Sequence, residues 1–141
     1  MAAVARYLID KSALARGGNP IVAGVLDPLL QAGLLAICGV IELEMLYSAR
    51  NAQDHQQMRF ELECGFEWLP TNDQDFHRAA EVQGLLAAKA THRAVSVADL
   101  LIAAVAERHK LTVLHYDADF DLVAQSTGQR THWIVPRGSL A

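Results

Sequence analysis

The sequence predicts an α/β fold: a three-layer α/β/α sandwich around a central parallel sheet of about five strands. Two observations carry that expectation. Short apolar runs of strand length alternate with helical segments along the whole chain, and such alternation builds parallel sheets through helical crossovers. The segment 96–110, "SVADLLIAAVAERHK", is apolar nearly all round, so it reads as a buried helix.

Each element has a local reason. "RYLI" (6–9) is a strand closed by Asp10, and "KSALAR" opens a short helix that "GGN" breaks. "NPIVAGVLDPLLQAG" (19–33) is a helix with Asn19 as N-cap, Pro20 at its first position and Gly33 at its far end. The internal Asp27-Pro28 is expected to kink or split it. "LLAIC" (34–38) is the next strand, and "GVIELEMLYSAR" and "AQDHQQMRFELEC" follow as helices. "FEWLP" (66–70) alternates as a strand does, and Asn72 caps a long helix running to about Thr91. After the buried helix come the strand "TVLHY", the helix "ADFDLVAQSTG" ended by Gly128, and the strand "HWIV".

A length of 141 residues suits one domain spanning 1–141. Repeats, low-complexity tracts and linker-like stretches are absent. The longest apolar runs, "GLLAICGVI" and "LLIAAVA", are too short to span a bilayer, and the first ten residues reach Asp10 before a signal segment could form. A soluble, cytoplasmic protein is therefore expected. Cys38 and Cys64 show no metal-finger spacing and read as buried thiols. The six histidines show no ligand spacing either, and Trp68 and Trp133, on strands, read as core. A net charge of −4 argues against a generic basic coat for nucleic acid. It does not exclude a nucleic-acid enzyme, because a divalent cation inverts the sign of an acidic pocket locally.

Acids stand where a parallel sheet places its sites, beyond the carboxyl ends of strands. Asp10 ends the first strand, and "DADFD" puts Asp117, Asp119 and Asp121 after the fourth. Asp99 lies in the first turn of the buried helix, where Ser96 and Asp99 fit a capping box. Glu42 and Glu44 are two positions apart on one helix, about 200° around its axis, so at most one looks inward. Val40, Leu43 and Tyr47 lie to Glu44's side, which favours Glu44 and leaves Glu42 nearer solvent. Two bare carboxylates ~4 Å apart repel by roughly 4 kcal/mol at an effective dielectric near 20. If these acids converge, a divalent cation resolves the conflict. Hard oxygen ligands without a His/Cys set favour Mg²⁺ or Mn²⁺ over zinc, and such ions on carboxylates serve phosphodiester hydrolysis.

Four segments together resemble a known family: "YLIDKSALAR", "ELEMLYSAR", "VSVADLLIAAVAERHKLTVLHYDADFDLVAQSTG" and "HWIV". They are similar to PIN-domain ribonucleases, specifically the VapC-type toxins of bacterial toxin–antitoxin pairs. The resemblance places the family's acidic set on Asp10, Glu44, Asp99 and Asp117, with Asp119 at a fifth, more variable position. Of these, Asp10, Asp99 and Asp117 would hold the metal, and Glu44 would order or deprotonate the attacking water. Ser12 matches a small hydroxyl position beside the first carboxylate, and Lys11 stands where many relatives carry Ser or Thr. The family further implies Mg²⁺- or Mn²⁺-dependent RNA cleavage, a homodimer, and neutralisation by a VapB-type antitoxin. Arg50, Lys89 and Arg93 are the candidates for holding the RNA backbone.

Two other readings compete. A PIN-like binding module would act mainly as antitoxin partner and corepressor. A phospho-acceptor receiver domain would normally show an acidic pair after the first strand and a Lys after the last. Here Asp10 stands alone and Arg137 is the only basic residue after the final strand.

Overall fold

The computed structural model describes residues 5–140. Residues 1–4, on which the signal-segment expectation partly rests, and Ala141 lie outside them. The elements run β1 (Tyr7–Ile9), α1 (Lys11–Leu14), α2 (Pro20–Gln31), β2 (Leu35–Cys38), α3 (Gly39–Leu46) and α4 (Ala52–Gly65). They continue as β3 (Glu67–Leu69), α5 (Asp73–Ala87), α6 (Val97–His109), β4 (Thr112–His115), α7 (Asp119–Thr127) and β5 (Thr131–Trp133). All five strands pair in parallel, in the order β3-β2-β1-β4-β5, and helices flank the sheet. The chain therefore builds outward from β1 on one side, then returns to add β4 on β1's other edge. That reversal opens a crevice beyond the carboxyl ends of β1 and β4.

The all-round apolarity of α6 now has a cause. Ile102, Val105 and Ala106 join the cluster that includes the strand residues Leu8, Ile9 and Val113. Leu100, Leu101, Ala103 and Ala104 join a second cluster with Ala79 and Val82 of α5 and Val123 of α7. Two ion pairs also tie α5 to α6. Arg108 reaches Asp75 through two hydrogen bonds (2.8 and 3.0 Å) and also donates to the Pro70 carbonyl, while Arg78 reaches Glu107 at 2.8 and 3.2 Å.

Several local expectations are corrected. Pro28 neither splits nor ends α2, since Pro20–Gln31 is one helix. Its missing N–H would have met the Gly24 carbonyl, and Gly24 is exposed, so that carbonyl has access to water. α3 stops at Leu46 because Asn51 starts the next helix, its side chain accepting from the Asp54 N–H at 2.8 Å. α5 stops at Ala87, and Ala90 adopts a left-handed φ of 57°. β5 is shorter than "HWIV": the Ile134 N–H still bonds the His115 carbonyl at 2.8 Å, but Ile134 and Val135 then sink into the core. Trp68 is 51% exposed on edge strand β3, not core. Cys38 is buried, which pushes its thiol pKa up, whereas Cys64 is exposed. No described helix is long and apolar enough to cross a membrane.

Candidate active site

Asp10 leaves β1 and caps α1, its Oδ2 accepting the Ser12 N–H at 2.9 Å. The Ser12 hydroxyl also bonds this carboxylate, and its oxygen accepts the Tyr116 N–H at 2.9 Å. Ser12 thus ties the end of β1 to the end of β4, beyond the hydroxyl role expected of it. Asp117 folds its own turn: its Oδ1 accepts the Asp119 N–H at 2.9 Å. Asp99 enters from α6. Ser96 Oγ accepts the Asp99 N–H at 3.1 Å, but the reciprocal half of the expected capping box is not made. The Ser96 N–H turns to Asp119 instead. The Asp99 carboxylate is thereby released from capping and projects into the crevice.

The result is one cleft lined by Asp10, Glu44, Asp99, Asp117 and Asp119, together with Lys11, Ser12, Arg16, Ser96 and Tyr116. Oxygens of Asp99, Asp117 and Asp119 all lie within 4.8 Å of one another. Burial raises the pKa of Asp10, and Asp117 adds to the rise. Burial and then Asp10 do the same to Glu44, opposed by Lys11. Asp99 is pushed up to about 8, first by burial, then by Asp10 and Asp117. Burial, then Asp117, also raises Asp119, with which Asp99 shares a hydrogen bond. Buried oxygens of Asp10 (Oδ1) and Glu44 (Oε1) have no hydrogen-bond partner among the described residues. A buried acceptor left unsatisfied is costly, and hard carboxylate oxygens facing one another are the donor set a divalent cation takes. The residues therefore fit a metal site.

The family model described as "PIN domain" matches residues 7–125. The chain belongs to the PIN-domain family. Within the family it falls among the VapC ribonucleases. It is 44% identical over 134 residues to Ribonuclease VapC21 of Mycobacterium tuberculosis, covering 95% of this chain and 97% of that one. It is 43% identical to Ribonuclease VapC51 of the same organism, covering 96% and 97%. Among solved structures, this PIN domain resembles VapBC2 from Rickettsia felis bound to a promoter DNA fragment (TM-score 0.73, 16% identity, 90% and 98% covered). It also resembles a toxin–antitoxin complex from Klebsiella pneumoniae (TM-score 0.69, 18% identity, 92% and 98% covered). At those identities the likeness is one of fold.

Glu44 reaches the cleft of this PIN domain, but the helix-face reasoning needs amending. Leu43 and Tyr47 do lie on Glu44's side, yet they are 69% and 90% exposed, and α3 faces the core through Ile41 and Leu46. Glu42 is not solvated either. Its side chain is mostly covered and sits 3.9 Å from Arg59. The proposed RNA-holding residues lie outside the cleft. Arg50 pairs with Asp54 at 3.5 Å, Lys89 donates to Ser126 at 3.3 Å, and Arg93 is exposed in the loop before α6. The basic residues that do line the cleft, Lys11 and Arg16, and the aromatic Tyr116 beside them, are not among the candidates named from the sequence. Their signal was adjacency: two follow Asp10 closely and one precedes Asp117. His115 was missed too. It is fully buried between Phe120 and Trp133, and its Nδ1 accepts the Asp117 N–H at 3.1 Å, which steadies the acidic turn.

The raised acids give this domain a testable pH dependence. Asp99 binds its proton more tightly folded than unfolded, so stability falls as pH climbs from 3.8 towards about 8. His115, whose pKa burial lowers to about 4, works the opposite way, but only up to its ordinary 6.5. Above that the acids act alone. In EDTA the melting temperature is expected to drop between about pH 6.5 and 8.5, and added Mn²⁺ should flatten the drop. A level profile in EDTA would show that the acids do not repel.

Proposed function

We propose that this protein is a divalent-metal-dependent endoribonuclease, the toxin of a VapBC-type pair, and that Asp10, Asp99 and Asp117 hold the ion. The observation that carries the reading is the convergence of five carboxylates in one cleft, two of them with buried, unpartnered oxygens. Mg²⁺ or Mn²⁺ bound there would neutralise the acids and stabilise negative charge on the phosphoryl group. The chain's own residues do the rest. Glu44, its carboxyl raised by burial, takes a proton from the attacking water. The water oxygen bonds to phosphorus in line as the bond to the 3′-oxygen breaks, and that oxygen takes up a proton from solvent, leaving a 3′-hydroxyl on one fragment and a 5′-phosphate on the other. Asp119 orients Asp99 through their shared hydrogen bond, and Ser12 holds Asp10 in place.

Partners follow from the same surface. Leu43 and Tyr47 stand exposed beside Glu44. A VapB-type antitoxin covering them would close the cleft rim, and an arginine from it would pair with the acids in place of the cation. A homodimer is proposed on family grounds. The binding-module reading is less well supported, because a complete acid set has no use in a domain that only docks.

The test is incubation of the purified protein with tRNA or rRNA, with and without EDTA. Cleavage that EDTA stops and excess Mg²⁺ or Mn²⁺ restores is the expected outcome. Persistent failure to cut RNA with either ion, by a folded protein, would favour the binding module.

A further inference from the structure

Arg16 occupies an unusual position for a cation in an acidic cleft. Among the described residues it pairs with no carboxylate, although it lines the same cleft as five of them. It is nevertheless held at two points. Its Nη1 donates to the Ser12 carbonyl at 2.6 Å, and its guanidinium carbon lies 4.9 Å from the centroid of the Tyr116 ring. Tyr116 is itself braced. Its N–H donates to Ser12 Oγ, its ring meets Trp133 edge-on at 5.3 Å, and its hydroxyl accepts the N–H groups of Gly138 (3.1 Å) and Leu140 (3.2 Å). The closing turn of the chain thus fastens the ring on which Arg16 lies, and Arg137 lies over Trp133 at 5.8 Å. The other cleft cation, Lys11, is already engaged electrostatically with Glu44.

We infer that Arg16, clamped between the Ser12 carbonyl and the Tyr116 ring, is a phosphate anchor that seats the RNA backbone in the cleft. The inference rests on the ribonuclease reading and names a subsite within it. A guanidinium presents five donors in a planar fork that suits a phosphate. Here one donor is spent on Ser12, and the exposed head keeps the others available. Stacking on a braced ring fixes the fork before substrate arrives, so less side-chain freedom is lost on binding. Arg16 touches no reacting atom. Its contribution is to binding, and the C-terminal turn contributes by fixing Tyr116.

The experiment is steady-state cleavage of a single-stranded RNA oligonucleotide in Mg²⁺ across a salt series. The proteins compared are wild type, Arg16→Ala, Arg16→Lys and Tyr116→Phe. Arg16→Ala is expected to raise KM about tenfold while leaving kcat within about twofold. The slope of log KM against log salt should fall by about 0.7, the loss of one phosphate contact on a single strand. Arg16→Lys should recover the slope but not the whole of KM, since it keeps the charge and loses the fork. Because Lys is tolerated in the exposed turn after α1, it also guards against a folding defect in the Ala variant. Tyr116→Phe, which keeps the ring and releases the turn, should raise KM by less than Arg16→Ala. An unchanged KM and slope in Arg16→Ala, with the wild type cutting RNA normally, overturns this inference and leaves the ribonuclease reading intact. So does a fall in kcat at constant KM. Absence of cleavage by the wild type overturns the ribonuclease reading, and this subsite with it.

Discussion

Replacing Asp99 by Asn abolishes RNA cleavage and, in the metal-free protein at alkaline pH, raises the melting temperature: this pair of outcomes is expected together. Loss of a carboxylate proposed to hold the cation should lower cleavage by about a thousandfold or more, the equivalent of several kcal/mol of charge stabilisation. The same change removes a group that burial, Asp10 and Asp117 all make reluctant to ionise. Near its ordinary 3.8 and below, Asp99 carries its proton in both the folded and the unfolded chain, so Asn mimics it and stability hardly moves. Between there and about pH 8 only the unfolded chain gives up that proton, so the wild type loses stability relative to the variant, and the gap is complete above about 8. There the variant should melt higher in EDTA, and the gain should disappear on adding Mn²⁺, which helps only the wild type. Asp10→Asn should behave similarly, since an Asn oxygen can still accept the Ser12 N–H. Activity assays across Mg²⁺ concentrations, with melting curves at two pH values, test both halves. Wild-type cleavage in both variants would remove Asp10 and Asp99 from the site.

The largest expected loss of stability lies away from the cleft. Asp75 is 1% exposed and caps α5 by accepting the Asn72 N–H at 3.0 Å, while Arg108 binds both its oxygens. Burial alone would raise the Asp75 pKa, but the Arg108 and Asn72 hydrogen bonds more than offset it, and the net shift is downward. Arg108→Ala would strand that carboxylate. Removing one partner of a buried pair costs about 3 kcal/mol, and in a chain of this size the melting temperature should fall by about 10 °C. The sign with pH also follows. A depressed folded pKa stabilises above the ordinary 3.8 and fades as pH drops through the folded value. The gap between wild type and Arg108→Ala should therefore narrow in strong acid. A gap of under a degree at neutral pH would show that α5 and α6 hold together by their apolar faces alone.

The candidate site shows where local information ends. Ser96 and Asp99 fit a capping box, and the backbone half of that box exists. Whether Asp99 would close the other half or face a cleft depended on Asp119, which comes from another element and takes the Ser96 N–H. Helix phase favours Glu44 over Glu42, and Glu44 does line the cleft, but its apolar companions Leu43 and Tyr47 are surface. Phase told which residues share a side, not which side faces inward. Arg50, Lys89 and Arg93 stand near motifs along the chain yet outside the cleft, whereas Lys11 and Arg16 line it because α1 starts at the rim of the crevice.

By itself the sequence determined what is settled within a few residues: the alternation of strands and helices, the caps at Asn19 and Asn72, the burial of α6, and acids at strand ends. Periodicity and capping act over one or two turns, so they are written locally. Only the tertiary structure decided that β4 pairs with β1 rather than β3. That strand order brings Asp10 and Asp117 side by side and lets Asp99 and Glu44 meet them. Strand order is a property of the packed whole, because it depends on which helical faces bury most apolar surface against the sheet.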